Sequence, residues 1–102
     1  MSPNEPQTIG DLRRRIDEID RQLVDLLNER SQCAAEIGHI KSQMQMPLYQ
    51  PEREKEVLAN AEKHNHGPLA DTAIRRLFER ILDEARSVER RAMKPEGEAE
   101  RI

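Results

Sequence analysis

Residues 8–44 read TIGDLRRRIDEIDRQLVDLLNERSQCAAEIGHIKSQM, and the reading of this run decides the fold. Its seam positions are Leu12, Ile16, Ile19, Leu23, Leu26, Arg30, Cys33, Ile37, Ile40 and Met44. The steps alternate four and three, the spacing of a helix that buries one narrow face. No proline falls between Pro6 and Pro47. Thr8 is the expected N-cap, with Asp11 three residues later to complete a capping box. The spacing predicts one helix of about 35 residues, roughly 52 Å long at ~1.5 Å per residue.

Pro47 and Pro51, Gly67-Pro68, then Pro95 and Gly97 divide the remainder. Two further segments lie between these breaks, with helical periodicity and no strand alternation. The first starts at Pro51, a favoured opening residue for a helix, and carries Val57, Leu58 and Ala61. The second follows Asp71, read as its N-cap. It places Ala73, Ile74, Leu77, Phe78, Ile81, Leu82, Ala85, Val88 and Ala92 on one broad stripe. The expected fold is all-α, with three helices per chain and a very long first helix. Residues 8–93 are expected to form the domain, residues 1–7 a disordered leader and residues 94–102 a flexible tail.

A compact domain of this size has a radius of gyration of only about 13 Å. Two short helices cannot cover a first helix four times that length. A second copy is the simplest cover, which gives an intertwined helical homodimer. An extended two-stranded coiled coil is the other arrangement, and the charge that interrupts the seam argues against it.

Composition narrows the function. The chain has 102 residues, 36% of them charged, a net charge of -3 and only Tyr49 and Phe78 as aromatics. No apolar run approaches the ~20 residues that span a bilayer, and residues 1–7 lack the pattern of a secretory signal. A single cysteine, Cys33, suits a reducing cytoplasm, and on the seam it reads as a small core residue. The acidic balance and the lack of a stacking platform argue against nucleic acid. The four glycines are too scattered for a phosphate loop. His64 and His66, with His39 distant and no cysteine near, make a poor metal set.

Several charges fall on apolar faces. Arg30 occupies the seam, where loss of hydration costs several kcal/mol unless the cation is paired. It reads either as half of a buried ion pair that fixes register or as part of an anion site. Lys41 follows eleven residues later, roughly 16 Å along the same face, so the two side chains can converge on one small anion. Arg13 shares the lane of Lys41 but lies about 42 Å away along the helix. It can share a pocket only with Lys41 of an antiparallel partner; otherwise it pairs with Asp17 or Asp20 in solvent. Glu89 follows Phe78, Leu82 and Ala85 at steps of four, three and four. Desolvation there favours the neutral acid, unless Arg86 or Arg90 pairs with it. Arg53 and Glu54 open the second helix, where an acid suits the helix dipole and a base does not.

Taken in order, these residues resemble a known family. Leu12-Arg13-x-x-Ile16-x-x-Ile19-Asp20, Leu26-Leu27-Asn28-Glu29-Arg30 and Ile37-Gly38-x-Ile40-Lys41 are similar to the first helix of the all-helical chorismate mutases. Pro47-Leu48-Tyr49-x-Pro51-x-Arg53-Glu54 resembles the start of that family's second helix. Ile74-x-x-Leu77-Phe78-x-x-Ile81-Leu82 resembles its third. The resemblance runs from about Ile9 to Ala92 and implies a homodimer with two sites. Each site would take Arg30, Lys41, Arg53 and Glu54 from one chain and Arg13 from the other. Arg13 and Arg30 would hold the two carboxylates of chorismate, and Lys41 would reach the ether oxygen and a carboxylate. Glu54 would accept from the ring hydroxyl, and Arg53 would support the polar wall.

The implied reaction is the unimolecular [3,3] rearrangement of chorismate to prephenate in aromatic amino-acid biosynthesis. It requires no nucleophile, metal or cofactor. The catalytic set would be Lys41, Glu89 and Arg30. Glu89 stands where many relatives have Gln, and only its protonated form could donate to the ether oxygen. Gln50 replaces a usual Asp at the hydroxyl, and Ala85 replaces a common Ser near a carboxylate. The alternatives are an isochorismate-pyruvate lyase of the same fold and a non-catalytic helical dimer. The resemblance also admits a complex with another shikimate-pathway enzyme, and implies neither nucleic acid nor membrane as a partner.

Overall fold

The computed structural model describes residues 7–93. Three helices follow in order: α1 (Ile9–Met44), α2 (Pro51–His64) and α3 (Asp71–Met93). There is no strand among the described residues. Among the described residues no helix is long and apolar enough to cross a membrane. The expected leader, apart from Gln7, and the expected tail lie outside the described residues.

The start of α1 follows the sequence reading. Asp11 N donates to Thr8 Oγ1 at 3.0 Å, and Thr8 N donates to Asp11 Oδ2 at 3.2 Å, so the box satisfies two backbone donors. The end of α1 is closed by Gln45, whose φ is 55°. Met46 N donates to Lys41 O at 2.9 Å and Gln45 N to Ser42 O at 3.4 Å. This is a Schellman stop with glutamine at the position that favours glycine. Pro51 opens α2 behind Gln50, which makes no side-chain cap.

One expected cap is corrected. Asp71 is the first residue of α3 rather than its N-cap; Ala70 O accepts from Ala73 N and Ile74 N. The Asp71 carboxylate instead accepts from Asn65 Nδ2 at 2.8 Å, and the same amide donates to Leu69 O at 2.8 Å. The α2–α3 loop thus holds the aspartate that a cap would have used.

The chain divides into two units, one ending at Arg30 and the other beginning at Ser31. In the first unit the seam residues Leu12, Ile16, Ile19, Leu23 and Leu26 are all exposed. In the second unit, α2 packs on α3, with Leu58 and Leu82 as the buried leucines. The stretch of α1 in this unit buries Ala34, Gly38 and Lys41. Its seam residues Ile37, Ile40 and Met44 stay exposed, as does Cys33, so Cys33 is not a core residue of the single chain. Leu77 is also exposed rather than part of the α3 stripe. The lane that packs within the chain is therefore the small-residue lane, and the apolar seam is left uncovered.

Candidate active site

Gly38 decides how closely α1 and α3 approach in the second unit. A Cβ built on Gly38 would lie 2.7 Å from Glu89 O and 3.0 Å from both Glu89 Cα and Ala92 Cβ. Only a residue without a side chain admits that approach. One turn further along α1, the approach brings Lys41 Nζ to 2.7 Å from Glu89 Oε1, with the two side chains 8% and 13% exposed. Lys41 Nζ also donates to Leu48 O at 2.9 Å, a carbonyl delivered by the turn after α1. Glu89 Oε1 is itself buried, and the Lys41 ammonium is its charge partner. The partner of Glu89 is thus Lys41, not Arg86 or Arg90.

Glu54 and Arg86 form a second polar pair in this unit. Arg86 Nη1 lies 2.5 Å from Glu54 Oε1 and 2.6 Å from Oε2, and Nη2 also bonds Asp83. The guanidinium sits 5.9 Å from the centre of the Tyr49 ring, within reach of a cation–π contact. The Glu54 hydrogen bonds hold Arg86 above the ordinary arginine pKa, so it is cationic at every working pH. Arg86 is the residue that sequence reasoning weighed only as a partner for Glu89. The spacing Leu82, Arg86, Glu89, at steps of four and three, places it on the buried side of α3 and was the available signal.

Gln50 and Ala85 are half-buried. Arg53 points outward, pairing with Glu56 on its own helix. In the first unit Arg13 is exposed and Arg30 half-buried on α1. The ion pairs of that stretch are Arg14–Asp11 and Arg15–Glu18, so Asp17 and Asp20 do not neutralise Arg13 there. His64 and His66 lie with ring centres 6.0 Å apart, and among the described residues no cluster could hold a metal ion.

Three helices of this order and length are the fold that the sequence resemblance implied. The family model described as chorismate mutase type II matches residues 12–90. The chain belongs to the type II chorismate mutase family. A bifunctional chorismate mutase/prephenate dehydratase of Neisseria gonorrhoeae is 43% identical to this mutase-family chain over 88 residues, 82% of the chain and 24% of that protein. The chain therefore spans about a quarter of that relative's length. A solved chorismate mutase (form II) of Thermus thermophilus matches with a TM-score of 0.81 and 36% identity, over 83% of this chain and 97% of that one. A Streptomyces pristinaespiralis relative named 4-amino-4-deoxychorismate mutase is 35% identical over 75 residues, 72% of this chain and 57% of that protein.

Proposed function

We propose that the chain catalyses the rearrangement of chorismate to prephenate, in sites shared between two copies. The observation that carries this reading is the buried Lys41 ammonium, 2.7 Å from Glu89 Oε1 and shielded with it from solvent. In the reaction the ether C–O bond breaks as a C–C bond forms between the enolpyruvyl methylene and the ring. No atom enters or leaves. Catalysis then has two physical sources. One is restraint of the substrate with its two reacting ends in contact. The other is stabilisation of the negative charge that grows on the ether oxygen. A cation shielded from water acts more strongly on that charge than an exposed one, which suits Lys41.

Residue roles follow the family resemblance. Arg13 and Arg30 bind the two carboxylates, Arg13 coming from the second copy. Lys41 and Glu89 face the ether oxygen. Glu54 accepts from the ring hydroxyl, while Gln50, Arg53 and Ala85 line the site. The uncovered seam of α1 supports the second copy: Leu12, Ile16, Leu23, Ile37, Ile40 and Met44 are all exposed in the single chain. Exposed apolar area on this scale marks an interface. Work in the cytoplasm, alongside another enzyme of the same pathway, completes the reading.

The test is incubation of the purified chain with chorismate and, separately, with isochorismate, followed by product identification. Prephenate from chorismate is the expected result. Pyruvate release from isochorismate alone, or no turnover of either, contradicts it.

A further inference from the structure

Glu54 is the group that would meet the ring substituent of the substrate, and it is not alone. A single guanidinium nitrogen of Arg86 reaches both of its oxygens, at 2.5 and 2.6 Å. The side chains are 21% exposed for Glu54 and 28% for Arg86, so the pair is only partly screened by solvent. An ionised carboxylate offers about four lone-pair positions. Two are used by Arg86, which leaves room for a hydroxyl donor but little net charge to attract a cation. Asp83 also bonds Arg86, but its side chain is 51% exposed, so its own charge is largely screened.

We propose that Arg86 sets the specificity of this site for a neutral ring substituent. Paired with Arg86, Glu54 accepts a hydroxyl but does not favour an ammonium at the same ring position. Arg86 acts through Glu54 and is therefore a positioning residue. The inference rests on the reading of Glu54 as acceptor for the ring hydroxyl of chorismate. The discriminating ligand is the analogue that carries an amine, protonated at neutral pH, in place of that hydroxyl.

The experiment measures kcat/KM for chorismate and for 4-amino-4-deoxychorismate with the wild-type chain and two variants. Arg86→Met removes the charge and keeps an unbranched stem; Arg86→Lys keeps the charge. Helical content by circular dichroism establishes that each variant is folded. The wild type is expected to favour chorismate by at least about tenfold, ~1.4 kcal/mol. Arg86→Met should lower that ratio by about tenfold, and Arg86→Lys should restore most of it. A merely structural role for Arg86 would lower both activities and leave the ratio alone. A wild type that does not discriminate, a measurement needing no variant, overturns the proposal, as does an unchanged ratio in Arg86→Met. Failure to turn over either substrate overturns the mutase reading and this inference with it; turnover without discrimination overturns this inference alone.

Discussion

The Lys41 ammonium lies 2.7 Å from Glu89 Oε1, and neither side chain is more than 13% exposed. Each ion has given up hydration, and each depends on the other for compensation. Removing one alone strands the other. Lys41→Met is expected to destabilise the fold by about 3–5 kcal/mol and to abolish rearrangement. The double variant Lys41→Met/Glu89→Leu should regain most of the lost melting temperature, because no charge is left buried. It should remain inactive. Thermal unfolding and a prephenate assay on both variants check this, and recovery of activity in the double variant would remove Lys41 from the chemistry.

Glu89→Gln tests what the carboxylate contributes beside Lys41. The amide keeps the side-chain shape, removes the negative charge and adds an N–H donor, so the Lys41 ammonium 2.7 Å away is no longer neutralised. With both groups facing the ether oxygen, kcat for prephenate formation should rise in the variant. A kcat well below the wild-type value would show that the carboxylate itself is needed.

Gly38 tests whether the α1–α3 approach sets the site. An added Cβ meets backbone atoms of Glu89 at 2.7 and 3.0 Å, and backbone cannot swing aside. Gly38→Ala should cost about 1–3 kcal/mol through overpacking, although alanine itself favours helix by up to ~1 kcal/mol. The forced separation should pull Glu89 from Lys41 and reduce kcat by about a hundredfold. A variant of wild-type activity and raised melting temperature would show that the approach is not needed.

The capping box gives a stability prediction with a definite sign. The Thr8 backbone N–H, followed by the Thr8 side chain and then Arg14, holds the Asp11 carboxyl below its ordinary value. A depressed carboxyl stabilises the fold above the ordinary carboxylate range, near pH 4, and loses that contribution as pH falls through its folded value. Asp11→Asn should therefore melt below the wild type at pH 7, with the two melting temperatures converging at acid pH. A difference that persists unchanged at low pH would assign the effect to something other than this carboxylate.

The sequence made the helices legible because their signals are local. Thr8 and Asp11, the proline-free run and Pro51 mark boundaries within a few residues of themselves. The seam was equally plain as a pattern, but a pattern does not say what covers it. Ile37 and Ile40 are exposed while Ala34, Gly38 and Lys41 are buried, because the intrachain contact uses small residues where backbones meet. Asp71 misled because its carboxylate had a competing donor in Asn65 six residues earlier. Lys41 and Glu89 were separately visible as charges on apolar faces. Their pairing spans 48 residues, and that of Glu54 with Arg86 spans 32; neither separation leaves a periodic trace.

Subunit mixing tests the proposed site between two chains most directly. Arg13→Ala and Lys41→Ala chains should each be nearly inactive alone. In a heterodimer, one site would combine the intact Lys41 of the first chain with the intact Arg13 of the second. Co-refolding equal amounts makes half the dimers mixed, each with one good site of two, so prephenate formation should return to about a quarter of the wild-type rate. A mixture as inactive as its two components, alongside an active wild type, would contradict a site built from two chains.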